Sequence, residues 1–115
     1  MCCLGFTFSL GYRLTAAAGA KGEVTLYTVE AARILRLTGV TVTFPAGQAF
    51  KLEVSLFRGP QQVLPNIGVF AGDGSVLHVT CDIPIQSGER VRLQYNNTDA
   101  VSSQSAHVTL SGILE

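Results

Sequence analysis

Charged side chains are scarce in this sequence. Lysine, arginine, aspartate and glutamate make up 14% of the 115 residues, eight of each sign, and the formal net charge is zero. An ordinary soluble domain carries about 25% charged residues. A small domain this poor in charge is weakly protected against association. We therefore expect part of its surface to lie against another copy of the chain or against a partner.

Clustered positive charge is also missing. Arg33, Arg36, Arg90 and Arg92 are spaced as strand residues between apolar neighbours, whereas binding to nucleic acid phosphates needs a concentrated basic patch. No stretch reaches the ~18 consecutive apolar residues of a membrane span. The N-terminus has no basic segment typical of a signal peptide. The sequence thus predicts no direct nucleic-acid partner and no membrane partner.

Residue types that bind metals or form crosslinks are few. The three cysteines are Cys2, Cys3 and Cys81, the two histidines are His78 and His107, and no Cys-x-x-C or Cys/His spacing occurs. This pattern argues against a disulfide framework and against a zinc site. Cys81 ends an apolar alternation and is expected in the core. Each histidine lies in an alternating pattern, which favours an outward-facing or hydrogen-bonded side chain.

Catalytic motifs are absent from the sequence, including the G-x-S-x-G elbow, the P-loop and the dinucleotide fingerprint. We expect no enzyme activity, no catalytic residue, no cofactor and no resident metal. Turn chemistry accounts for Asp73 and Asp99, although calcium bound by scattered loop oxygens stays open as an alternative. The chain has no tryptophan, and Phe44, Phe50 and Phe70 are expected in the core.

Apolar and polar residues alternate along most of the chain. The alternation is cleanest over residues 6–14, 50–56, 91–95 and 106–110. In 33–44 it changes phase across Thr38–Gly39, which predicts a β-bulge or bend. Pro65 marks the segment around 63–70 as an edge or irregular strand. Asp73-Gly74 predicts a hairpin turn before the strand at 76–81.

About eight strands at about 8–12-residue spacing, with glycine and proline between them, predict an all-β fold. We expect one domain over residues 1–115, a two-sheet antiparallel sandwich of jelly-roll type. No segment has convincing helical periodicity. Residues 1–22 are expected to form an N-terminal strand or arm followed by a loop of small residues. Edge pairing would allow this segment to be exchanged with a neighbour, and its apolar row, Phe6, Phe8, Leu10 and Tyr12, is the candidate interface with another copy or a capsid.

Several turn and strand motifs from Tyr27 onward resemble small jelly-roll-like virion proteins of tailed phages and related viruses. The motifs are Leu26-Tyr-Thr-Val29, Leu37-Thr-Gly-Val-Thr-Val42, Pro45-Ala-Gly47, Ile83-Pro-Ile-Gln-Ser-Gly88, Val91-Arg-Leu93 and Val108-Thr-Leu-Ser-Gly112-Ile-Leu114. The resemblance implies a virion location and a role in capsid decoration or cementing, in head fibres or in tail modules. It also implies a homo-oligomer, a trimer being favoured, with other virion proteins as partners.

Two other functions stay open from the sequence. The first is a sandwich that binds carbohydrate or another cell-surface ligand, which would need the polar loops 58–62, 71–75 and 96–105 to meet at one end. The second is an enzyme such as a cupin-like oxygenase. That function would need a metal-ligand cluster, which two distant histidines do not provide.

Overall fold

The computed structural model describes residues 6–65 and 67–115. It contains eight strands in two four-stranded sheets, and the paired strands run antiparallel. The strands are β1 (Phe6–Ala16), β2 (Lys21–Thr28), β3 (Leu35–Phe44), β4 (Leu52–Arg58), β5 (Gln61–Leu64), β6 (Ser75–Ile85), β7 (Arg90–Asn97) and β8 (Gln104–Leu114). No helix forms within the described residues. The predicted all-β, two-sheet sandwich is confirmed.

The chain passes from one sheet to the other at nearly every connection. Sheet A has the order β1-β8-β3-β6, and sheet B has the order β2-β7-β4-β5. In the described chain, β4 and β5 are the one pair of consecutive strands that share a sheet. Two antiparallel sheets of four strands joined in this way form a jelly roll.

The core lies between the inner faces of the two sheets, and β3 contributes most to it. Its apolar side chains on both sides of Thr38 are at most 2% exposed. They are Leu35, Leu37, Val40, Val42 and Phe44. The pairing register of β3 shifts between Leu37 and Gly39 against both β6 and β8. This bulge confirms the predicted phase change, because one extra residue returns the second apolar set to the inner face.

The strand predicted to begin at Phe50 begins two residues later, at Leu52. Phe50 is 63% exposed, so its prediction as a core residue is wrong. Lys51 N donates to Gln48 O at 3.0 Å, and Ala49 and Phe50 adopt left-handed φ values of 50° and 59°. This turn points the phenylalanine side chain outward. The prediction for Phe44 is confirmed, since it is 1% exposed.

The segment around Asp73 is a turn, but it does not close a hairpin. β5 and β6 lie in different sheets, so the turn links the two layers. Asp73 Oδ1 accepts hydrogen bonds from the backbone N–H groups of Gly47 and Gln48 at 2.7 Å and 3.2 Å. This carboxylate ties the β3–β4 connection to the β5–β6 connection.

The remaining strand predictions differ from the structure mainly in where the strands end. β6 runs past Cys81 and through Pro84 to Ile85, which its edge position permits because an edge strand tolerates proline. β5 ends at Leu64, before Pro65. Cys2 and Cys3 lie outside the described residues.

Gly112 provides a test of the packing between β8 and β3. A methyl group at Gly112 would lie 2.3 Å from the Arg36 carbonyl oxygen, whereas one at Gly11 in β1 would lie 3.3 Å from the movable His107 ring. We expect Gly112→Ala to lower the free energy of unfolding by about 1–3 kcal/mol. The control Gly11→Ala should change it by less than about 0.5 kcal/mol. Urea denaturation measures both, and equal losses would contradict this close approach.

Candidate functional site

The predicted interface residues Phe6, Phe8, Leu10 and Tyr12, here called the β1 row, share one side of β1. The row points toward the space between the sheets, at the edge of sheet A. Phe6 is 56% exposed, and the other three are half-buried against the core. The same side of the strand ends in Leu14 and Ala16, each 2% exposed. The row therefore lines the open edge of the sandwich.

Contacts from β2 and the loop that follows it hold the β1 row in place. The rings of Phe8 and Tyr27 pack with their centroids 4.8 Å apart and their planes tilted by 57°. The Arg33 guanidinium lies 5.3 Å from the centroid of the Phe6 ring. The Tyr27 hydroxyl donates to Glu30 Oε1 at 3.0 Å. Burial, with this carboxylate, raises the pKa of Tyr27. The row is thus an ordered apolar strip on β1, whose other edge pairs with no strand among residues 6–65 and 67–115.

Hydroxyl groups dominate the outer face of sheet A, which we call the hydroxyl face. Its serines and threonines are Thr7, Ser9, Thr15, Thr41, Thr43, Thr80, Ser105, Thr109 and Ser111. Burying a hydroxyl costs far less than burying an ion, so this face suits packing against another protein. The sequence indicates that these residues point away from the core, because they alternate with the apolar rows. Only the strand order shows that they share one face.

The outer face of sheet B is chemically different and holds a groove of about 410 Å³. Its polar lining includes Lys21 from β2, Glu53 and Ser55 from β4, and Gln94 and Asn96 from β7. Asn96 lies opposite both Lys21 and Glu53 in the strand pairing. Hydrogen-bond donors and acceptors thus alternate across three strands. The groove was not predicted from the sequence.

The three polar loops that the carbohydrate-binding alternative would need at one end do not all meet. Gly74 N donates to Pro45 O and Thr98 N donates to Lys51 O, which places loops 71–75 and 96–105 at the same end of the sandwich. Gly59 N donates to Arg90 O at the start of β7, so loop 58–62 lies at the opposite end. The condition is not met because β4 and β5 form a hairpin within sheet B, and its turn falls at the far end.

Asp99 organises the loop between β7 and β8. Its Oδ1 accepts hydrogen bonds from Val101 N and Ser102 N at 2.9 Å and 3.2 Å, and its Oδ2 accepts one from Gln104 Nε2 at 2.8 Å. The two backbone donors lower the pKa of Asp99. The predicted turn role of this carboxylate is confirmed.

His78 and His107 are exposed on the outer face of sheet A, so the prediction that they face outward is confirmed. Cys81 is half-buried against the core, and its thiol lies 3.5 Å from the Leu37 carbonyl oxygen. Burial raises the pKa of Cys81, and the neighbouring Asp82 raises it further. Within residues 6–65 and 67–115, no three His, Cys, Asp or Glu side chains come together as metal ligands. The same residues contain no helix long and apolar enough to cross a membrane.

Comparison with known proteins finds likeness in structure but not in sequence. No family model and no curated protein matches the chain. A chain from the capsid asymmetric unit of cyanophage Pam1 overlaps 95% of this chain and 85% of its own length, at 14% identity and a TM-score of 0.53. A chain from the acidic stable capsid of Helicobacter pylori bacteriophage KHP30 covers 93% of each, at 12% identity and a TM-score of 0.54. At these identities the likeness establishes the fold alone.

The lowered pKa of Asp99 predicts a contribution to the pH dependence of stability. A carboxyl whose folded-state pKa is depressed stabilises the fold above its unfolded-state pKa and loses that effect as pH falls through the folded-state value. We expect the Asp99 carboxyl to titrate below an ordinary aspartate in an NMR titration. Asp99→Asn keeps an acceptor oxygen but has no carboxyl to titrate. As the pH falls through this acidic range, the variant should therefore lose less stability than the wild type. A midpoint at the ordinary aspartate value would contradict the prediction.

Proposed function

We propose that this chain is a non-enzymatic structural protein of a virion, which decorates or cements a capsid through oligomeric packing. The observation that carries the proposal is the ordered apolar β1 row at the open edge of a jelly roll. The scarcity of charge supports association, and the fold likeness to chains of two phage capsids is consistent with it. The β1 row serves as the contact between copies.

The hydroxyl face is the second contact surface in this proposal. Its two central strands, β8 and β3, present Thr109 and Thr43 outward. The charged side chains on this face are Arg13 on the edge strand β1, Asp82 on the edge strand β6, and Arg36 near the start of β3, which pairs with Asp82. None of them lies opposite Thr43 or Thr109 in the strand pairing. A neutral centre loses little hydration on contact, so the hydroxyl face can rest against a capsid without burying an ion.

A pair of lysines on the hydroxyl face should block capsid binding. The test compares Thr43→Lys/Thr109→Lys with the control Thr25→Lys on the outer face of sheet B. The measurement is co-sedimentation with purified capsids of the virus that encodes the chain. We expect the double variant to bind at least about tenfold more weakly, a cost of about 1.4 kcal/mol, and the control to bind like the wild type. Circular dichroism verifies that both variants fold.

Two results would overturn the capsid role. One is a wild-type protein that is a stable monomer and does not sediment with these capsids. The other is a gene whose neighbours encode no capsid, portal or tail protein. Light scattering gives the oligomeric state.

The groove on sheet B favours a second candidate function, the binding of carbohydrate or a similar polyhydroxylated ligand. Lys21 donates hydrogen bonds, Glu53 accepts them, and Gln94 and Asn96 do both, which matches the donor and acceptor character of sugar hydroxyls. The groove volume of about 410 Å³ lies in the range of small-ligand pockets.

A glycan array tests this second function. The wild-type protein should bind one class of glycan on the array. Gln94→Ala/Asn96→Ala should lose this binding, whereas the exposed control Thr80→Ala on sheet A should still bind. Capsid binding should be the same in the wild type and in Gln94→Ala/Asn96→Ala. An array without signal for the wild type, or retention unaffected by the double variant, would contradict ligand binding in the groove.

A further inference from the structure

In the part of the chain that the structure describes, the sandwich ends in four edge strands, β1 and β6 in sheet A and β2 and β5 in sheet B. An edge strand has unpaired backbone N–H and C=O groups, and these pair with another chain unless something prevents it. Charged side chains, proline, bulges and short length are the usual protections.

Three of the four edges carry such protection. β6 contains Asp82 and Pro84, and its register with β3 shifts opposite Thr38. β2 carries Lys21 and Glu23, and its register with β7 shifts between Thr25 and Tyr27. β5 has only four residues, and its register with β4 is also shifted.

The β1 edge has almost none of these protections. Its eleven residues pair with β8 from Phe6↔Leu114 to Ala16↔Gln104 without a register shift. Its sequence contains no proline and no acidic residue, and Arg13 is its one charged side chain. At about 3.3 Å per residue, β1 offers roughly 35 Å of regular backbone for pairing.

We propose that a second copy of this chain occupies this edge, with the two β1 strands paired antiparallel about a twofold axis. The inference rests on the packing role proposed above and specifies its contact. A twofold axis perpendicular to the sheet makes the edge self-complementary. It also leaves the inner-facing side chains of both β1 strands on the same face of the joined sheet. The two copies of sheet A then form one continuous eight-stranded sheet.

Full overlap of the two strands places Gly11 opposite Gly11 and fixes the other pairs. On the inner side, Leu10 faces Tyr12 and Phe8 faces Leu14, so the half-buried row of each copy covers that of the other. On the outer side, Arg13 faces Ser9, which avoids a like-charge pair. The hydroxyl faces of both copies join into one surface, with the two Arg13 side chains near its centre.

A charge placed at Ser9 tests this register. The wild type should have twice the 12.2 kDa mass of the chain in light scattering. Ser9→Lys puts a lysine opposite Arg13 at two symmetric places and should shift the mass to one chain. Ser9→Lys/Arg13→Glu turns both contacts into opposite-charge pairs and should restore the dimer. The control Thr80→Lys, on the exposed outer side of the β6 edge, should leave the mass unchanged.

Disulfide trapping tests the position of the axis. In a background with Cys2, Cys3 and Cys81 replaced by alanine, Gly11→Cys should crosslink to itself, because paired strand residues approach within disulfide range. Ser9→Cys and Arg13→Cys should crosslink when mixed and not when oxidised separately. Thr80→Cys serves as the control and should stay monomeric.

The outcomes separate this inference from the proposed function. A wild-type monomer or trimer, or a dimer that Ser9→Lys leaves intact, overturns the β1 pairing. A dimer that behaves as expected but does not sediment with capsids supports the pairing and overturns the capsid role. A monomeric Ser9→Lys that binds capsids as tightly as the wild type supports the pairing and overturns the part of the proposed function that requires oligomeric packing.

Discussion

The repeated passage of the chain between two sheets is the constraint on which the rest of the structure depends. Because consecutive strands rarely pair, most connections must cross the end of the sandwich, and their backbone polar groups need partners there. Asn97, 1% exposed, supplies several. Its Nδ2 lies within 3.1 Å of the carbonyl oxygens of Ala16, Ala17 and Ser102, and its Oδ1 accepts from Asp99 N. One amide thus fixes the β1–β2 and β7–β8 connections to each other.

The same architecture leaves edges, because a sandwich does not close on itself as a barrel does. The few charges of the chain offer the surface little further protection, since several are engaged locally. Arg36 pairs with Asp82, and Arg92 pairs with Glu23 while donating to the Gly59 carbonyl. Low charge content and one unprotected edge therefore act in the same direction, toward association along β1.

The fold class could be predicted from local features of the sequence. Features that depend on segments distant in the chain could not be predicted. Alternation has a period of two residues and so marks the inner rows, and the phase change at Thr38–Gly39 located the bulge. The position of Phe50 was not predictable, because left-handed backbone at a residue with a side chain leaves no local signal. The Asp73 turn was recognised but not the sheets it joins, since strand partners are set by distant segments. The β1 row was found as an apolar strip, whereas its edge position follows from strand order alone.

The outer faces of the two sheets differ, and this difference orients the proposed assembly. Sheet A presents hydroxyls around Thr43 and Thr109 and extends through β1, and its ions are Arg13 and the Arg36–Asp82 pair, so the part of it between these ions can be covered at low desolvation cost. Sheet B presents the Arg92–Glu23 pair, Lys21 and Glu53, whose burial would be expensive. The favourable arrangement therefore sets sheet A against the partner surface and sheet B toward solvent. In that arrangement the groove of sheet B stays open, so packing through one sheet and ligand binding through the other do not compete for the same residues.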